Sequence, residues 1–290
     1  MGFPMAQNLL KAGFPLTVWN RTVERCVPLA EDGAKVALEP RNLAGADIIV
    51  TMLSDGAAVW STLVDRGLLD AMHEGSVVVE MSTIGPKVIV ELSAEAEQRG
   101  VHLLDAPVSG SVSVAAAGQL FAMVGGDQHA YEQATPVLDA MTKGHILLGP
   151  SGAGAAMKLA VNAMIAVTNE SVAETLALAE RAGIHPERAY DVLVNGALAS
   201  PFLNYKRGAF LAPESEPVAF TLELMRKDLL LAEELSADVG ARLPAAEAAA
   251  RILDEAIEHG LAQADMARVL SILREEGSSA AGNDERREQR

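Results

Sequence analysis

The sequence predicts an α/β protein: a Rossmann-type doubly wound sheet followed by an all-α C-terminal domain, joined to it by a long helix. Three observations predict this. Short β-type runs alternate with helical stretches through the first half of the chain. Those runs are almost continuously apolar, as in Asp47-Ile48-Ile49-Val50 and Val77-Val78-Val79, which a parallel sheet covered on both faces requires. After Gly149-Pro150 the strand signal stops and helical periodicity alone continues.

The chain opens with a helix that begins at Gly2 and closes at Gly13. Strands are expected at Leu16–Asn20, Asp47–Leu53, Ser76–Met81, His102–Ala106, Phe121–Val124 and His145–Leu148. Helices between them are expected at Val23–Glu31, Gly56–Val64, Lys87–Gln98 and Ala130–Met141. From Gly154 to Ala182 there is no internal Gly or Pro, and Gly183 stands where a helix C-cap belongs. Such a helix would be roughly 40 Å long. Further helices follow at Pro186–Val194, Leu222–Val239 and Pro244–His259. The domains expected are therefore 1–150 and 151–275, with 276–290 a polar stretch lacking an apolar face and expected to be a disordered tail. At 290 residues the chain has room for two cores.

Composition narrows the functions. With 50% hydrophobic and only 4% aromatic residues, the cores must be built from Ala, Val, Leu, Ile and Met. A formal net charge of −16 with no basic cluster argues against nucleic acid and anionic membrane as partners. Any anionic substrate must then be held by local groups. Cys26 is the sole cysteine, so no internal disulfide or cysteine-based metal site is expected, and a reducing, cytoplasmic setting fits. The uncharged run Ala106–Gly126 is broken by Pro107, Gln119 and several Ser and Gly, and does not read as a membrane span.

Several stretches carry chemistry. Asn20, Arg21 and Thr22 stand at the end of the Leu16–Asn20 segment, the place of the second strand of a dinucleotide fold, where an acidic residue would bind the ribose 2′-OH of NAD and an arginine accommodates the 2′-phosphate of NADP. They favour NADP(H), with NAD(H) the alternative; equally, Thr22 caps the next helix and Arg21 is solvated. Thr83 follows another strand, in the region where doubly wound sheets gather ligands, and either faces the nicotinamide or caps a helix. Asp105 through Leu120 turns into a loop of small residues whose backbone N–H groups and hydroxyls suit a carboxylate, or is a generic loop. Lys158 and Asn162 lie four apart on one face of the long helix, among Ala, Met, Leu and Val. Burial there would lower a lysine pKa towards the range proton transfer needs; the plainer reading is a snorkelling lysine beside a surface amide.

Taken together in this order, these stretches resemble the β-hydroxyacid dehydrogenase family, from Met1 to about Leu270. Met1-Gly2 through Gly13 resembles the end of the family's dinucleotide fingerprint. Asp105 through Leu120 resembles its substrate motif, which implies that Ser109 and Gly110 bind the substrate carboxylate. Gly152 through Asn162 resembles the catalytic motif, implying Lys158 as general acid/base and Asn162 as a substrate-orienting group. Lys227-Asp228-Leu229 resembles the motif whose lysine lies near the nicotinamide. With Gly2, Asn20, Arg21, Thr22, Leu53, Thr83 and Lys227 as cofactor residues and no metal, the resemblance implies an NAD(P)-dependent oxidoreductase acting on CH–OH donors. It would move hydride between NADP(H) and a short 3-hydroxy acid or carboxylated semialdehyde, as a homodimer or homotetramer. The alternatives are an imine reductase-like enzyme, against which Lys158 argues, and a non-catalytic binding protein. Ser111 and Gln119 stand where many members have Gly and Thr. The family's first strand and first two glycines, roughly ten residues, are missing before Gly2. A strand with a Gly-x-Gly turn is expected upstream, between Leu16–Asn20 and Asp47–Leu53 in the sheet, and the chain from Met1 alone is expected to bind NADPH weakly.

Overall fold

The computed structural model describes residues 1–275, so the expected tail at 276–290 lies outside the described residues. The chain divides into two compact units, Met1–Ala160 and a second that begins at Val161. The division falls within the long helix, whereas the strand signal stops at Gly149-Pro150. Its first turns belong to the first unit, where Ala155 is part of the core.

In the first unit, β1 (Thr17–Val18) and β2 (Lys35–Val36) pair in parallel as a sheet of their own. β3 (Ile48–Thr51), β4 (Val77–Glu80) and β5 (His102–Asp105) run parallel, with Thr51 beside Glu80 and Glu80 beside Asp105. β6 (Val108–Ser109), β7 (Leu120–Gly125) and β8 (Thr142–Gly149) complete a six-stranded sheet in which β7 pairs with β5, β6 and β8. The sheet is not wholly parallel: β7 is antiparallel to β5 and β6, and parallel to β8. The chain returns from β5 to β7 through β6 and one short helix, which lets it reverse direction where a full crossover would restore it. Among the described residues β3 has β4 as its sole neighbour in the sheet, and the β1–β2 pair forms no ladder with it.

The helices of this unit are α1 (Gly2–Lys11), α2 (Val27–Glu31), α3 (Gly56–Trp60), α4 (Leu68–Ala71), α5 (Pro86–Glu97), α6 (Val112–Ala116) and α7 (Gln128–Met141). They build two cores, one on each face of the sheet. Val77 and Val79 join Met5, Leu9, Leu138 and Met141 on one face, while Val78 joins Val59, Leu63, Ile89 and Leu92 on the other. The period-two alternation of a strand explains why a run of valines serves both.

α8 (Ala153–Arg181) continues into the second unit and ends before Gly183, whose φ of 82° is left-handed. Then come α9 (Pro186–Asn195), α10 (Pro201–Leu211), α11 (Leu222–Val239) and α12 (Pro244–Ala256). α10 has no counterpart in the sequence reading. Leu222, Leu229, Ala249 and Leu253 are buried in this unit, the small and aliphatic residues that the composition demands, and the aromatic Tyr190 and Phe210 are buried with them. Buried with them is an ion pair, Lys206 Nζ to Asp265 Oδ1 at 2.6 Å. Among the described residues no helix is long and apolar enough to cross a membrane.

Candidate active site

The carboxyl ends of β3, β4 and β5 carry Thr51, Glu80 and Asp105, side by side and buried. The Glu80 carboxylate accepts the Thr51 hydroxyl and the Ser82 N–H. Ser82 Oγ in turn accepts the Leu53 N–H at 2.8 Å. One buried carboxyl thus ties the loop after β3, which holds Leu53, to the loop after β4, which holds Thr83. Burial pushes Glu80 up to about 7, against its hydrogen bonds and with help from the neighbouring charge of Asp105.

This makes stability pH-dependent. A carboxyl that titrates higher when folded binds more protons in the folded state. Its contribution is complete below the unfolded value and is lost as pH rises through about 7. Glu80→Gln is expected to flatten this fall by ~1–3 kcal/mol between pH 5 and pH 8. Thermal melts at the two pH values check this, and an unchanged slope would count against it.

Asp105, with no exposed surface, accepts the N–H groups of Gly152 at 2.8 Å and Ala155 at 2.7 Å, across the start of α8. Burial raises its carboxyl to about 6, against these hydrogen bonds. Lys158 follows on α8, partly buried, and Asn162 is one turn further on. In the second unit Asn162 is 3% exposed and donates its amide to Asp228 Oδ2 at 2.5 Å. Lys227 Nζ lies 3.0 Å from Asp228 Oδ1. Asp228 therefore gathers two of the expected site residues, Asn162 and Lys227.

Ser109 ends β6 and Gly110 follows it with φ 139°. That backbone conformation favours glycine, and a Cβ at Gly110 would also stand 2.7 Å from Leu120 Cδ2 and 2.8 Å from Val114 Cγ1 and push those side chains aside. Ser111 caps α6, its hydroxyl accepting the Val114 N–H and pairing with Ser113 at 2.8 Å.

Of the expected cofactor residues, Leu53 and Thr83 stand on the loops that follow β3 and β4, which Ser82 and Glu80 join. Gly2 opens α1, and a Cβ there would lie 3.5 Å from Met52, next to Leu53. Asn20 Oδ1 accepts the Thr22 N–H at 2.9 Å in a local turn that leaves Arg21 exposed. Thr22 makes no side-chain cap. Nor does Thr83 cap α5, whose cap position is Gly85.

Spacing had given Glu80, Ser82, Asp105 and Asp228 no role. The signal available for two of them was an acid closing an apolar strand, in Val77-Val78-Val79-Glu80 and Leu103-Leu104-Asp105. A carboxylate is rarely buried unless it holds something. Among the described residues no group of His, Cys, Asp and Glu is arranged to hold a metal ion.

Residues 1–149 match the sequence model of the NAD-binding domain of 6-phosphogluconate dehydrogenase. Residues 152–273 match that of the NAD-binding domain of NADP-dependent 3-hydroxyisobutyrate dehydrogenase. The chain is 37% identical over 276 residues to the chloroplastic glyoxylate/succinic semialdehyde reductase 2 of Arabidopsis thaliana, covering 94% of this chain and 77% of that one. It is 36% identical to the NAD-dependent L-serine dehydrogenase of Pseudomonas aeruginosa, over 94% of each. Its fold superposes on Mycobacterium tuberculosis 3-hydroxyisobutyrate dehydrogenase, solved with L-serine, with a TM-score of 0.84 and 33% identity over 94% of this chain and 96% of that one. The chain belongs to the β-hydroxyacid dehydrogenase family, as an NAD(P)-dependent oxidoreductase acting on CH–OH donors.

Proposed function

We propose that the chain reduces a short carboxylated semialdehyde, or oxidises the corresponding 3-hydroxy acid, with NADP(H) preferred and Lys158 as general acid/base. The observation that carries this reading is the placement of a partly buried lysine just inside a helix start that a strand carboxylate grips, one turn before a buried amide. In the reducing direction Lys158 Nζ gives a proton to the carbonyl oxygen; in the other it takes the hydroxyl proton. Ser109 and the Gly110 backbone hold the substrate carboxylate. Asp228 fixes the rotation of the Asn162 amide through its Nδ2, so the Asn162 Oδ1 faces a defined direction and orients the substrate hydroxyl.

The residues present fit a dinucleotide. Gly2 opens a ten-residue helix whose N-terminal N–H groups suit a phosphate, and Arg21 is exposed beyond β1. Leu53 and Thr83 stand on loops that one buried carboxyl fixes. Lys227 stands beside Asp228. The nicotinamide, when bound, supplies or accepts the hydride. Arg21→Ala is expected to lower the preference for NADPH over NADH by about ten- to a hundredfold, the loss of one charge-assisted hydrogen bond. Paired kinetics with the two cofactors measure it, and an unchanged ratio would show that Arg21 does not read the 2′-phosphate.

The decisive assay is NADPH oxidation against glyoxylate, a panel of semialdehydes and a cyclic imine. Turnover of the imine alone would replace this reading with imine reduction. A homodimer or homotetramer is part of the proposal, supported by Met157, Met164 and Leu178 exposed along α8. The hydroxyls of Thr168, Ser171 and Thr175 on that helix are each turned back onto a carbonyl one turn earlier, so these polar groups are satisfied within the helix. Light scattering would give the mass, and a monomer would remove this part.

A further inference from the structure

Helix N-termini are usually capped by the residue just before them, which satisfies N–H groups but moves with the helix. α8 is held differently. Its start is gripped by Asp105, which lies on a central strand 47 residues before Gly152 and 50 before Ala155. Each oxygen of the carboxylate takes one N–H, so the two ends of the first turn are fixed to a point in the sheet.

The packing around this grip is backbone on backbone. A Cβ at Gly154 would lie 2.2 Å from the Met123 carbonyl oxygen and 2.7 Å from that of Asp105. One at Gly125 would lie 2.5 Å from Asp105 Oδ1 and 2.8 Å from the Pro150 oxygen. Glycine at both positions lets the first turn of α8 seat directly on β5 and β7. Lys158 follows Ala155 by three residues, nearly one turn. Any rotation or slide of the gripped turn is therefore handed to the lysine undamped.

We propose that Asp105 is a positioning residue of the reaction: its carboxylate sets the axial height and rotation of α8, and so the point at which Lys158 meets the reacting oxygen. This rests on the reading of Lys158 as acid/base. A carboxylate is required because both N–H groups need an acceptor. An asparagine offers one oxygen and turns its NH₂ towards the second donor.

The test is a double-mutant cycle in the full chain, with NADPH and the best carbonyl substrate of the panel above. Asp105→Asn is expected to lower kcat about 10–100-fold while leaving the KM for NADPH within about twofold, since misplacing a reacting group by about 1 Å costs on that order. Because Asp105 acts through Lys158, the same substitution in a Lys158→Ala background is expected to change the residual rate less than threefold. A general loss of structure would instead lower both backgrounds alike, and that result overturns the proposal. If Lys158→Ala is inactive while Asp105→Asn turns over normally, the proposal fails and the reading of Lys158 stands. If Lys158→Ala itself turns over normally, that reading fails. Should Asp105→Asn not fold, hydrogen exchange on the wild-type protein still decides. The Gly152 and Ala155 amides are expected to be protected as strongly as the amides of β4 and β5. Exchange as fast as in exposed loops would show that the turn is not gripped, and would overturn the proposal.

Discussion

Lys158→Ala is expected to lower the rate of carbonyl reduction ~10²–10⁴-fold, the usual contribution of a positioned general acid. Cofactor affinity is expected to stay within about twofold, because Gly2, Arg21, Leu53 and Thr83, which are proposed to hold the dinucleotide, stand on other elements. Steady-state kinetics alongside NADPH titration by fluorescence separate these quantities. A variant with near-normal turnover at neutral pH would remove Lys158 from the chemistry. One that lost both rate and cofactor affinity would show that it belongs to the dinucleotide site.

The second large effect concerns stability. Lys206 has no exposed surface, and both Asp265 oxygens lie within hydrogen-bond distance of its Nζ, at 2.6 and 2.8 Å. Burial lowers the Lys206 pKa, and the attraction of Asp265 opposes the shift. Lys206→Met replaces the stem with one of similar shape and leaves Asp265, only 7% exposed, without its counter-charge. Breaking a buried pair in this way costs about 3–5 kcal/mol. Here the low end is expected, because Asp265 also accepts the N–H groups of Ala219 and Ala267 at 3.0 Å, which offset part of its charge. Even that is a large share of the ~5–15 kcal/mol that holds a typical domain together. Urea denaturation of the variant measures it, and a loss below about 1 kcal/mol would show that those N–H groups alone hold the carboxylate.

Much of the fold was legible because strand and helix periods are local. Val77-Val78-Val79 announces a strand with two covered faces, and the absence of Gly and Pro from 155 to 182 announces one long helix. What was not legible lies in features that periodicity does not encode. Strand direction is one: the reversal between β5 and β7 depends on how residues 106–119 return. Very short elements are another, and Lys35–Val36 and Val108–Ser109 are two residues each. α10 was missed because Lys206 and Gly208 interrupt its apolar face, and the lysine turned out to be buried against a distant aspartate.

The site divides the same way. Lys158 and Asn162 stand out because four residues bring side chains onto one helix face. The partner of Asn162 is 66 residues away, and the groups that Asp105 holds are 47 and 50 away. No spacing rule connects residues that the fold alone makes neighbours. A buried acid with no local partner was the available clue, and it says that something is held without saying what.

The close seat of Gly154 on the strand backbone also bears on how such a protein changes over generations. At that position a single methyl group would press on the Met123 carbonyl, so the first turn of α8 offers almost no room for sequence drift. The stretch Ser111-Val112-Ser113 is partly or fully exposed, and its side chains carry no strand or core. Substitutions of the exposed Val112 should cost less than about 0.5 kcal/mol, whereas loss of the Ser111 cap costs about 0.5–2 kcal/mol. New side chains can be sampled at Val112 while the start of α8 stays where it is. The start of α8 is thus sterically closed to new side chains, whereas the exposed Val112 is open to them.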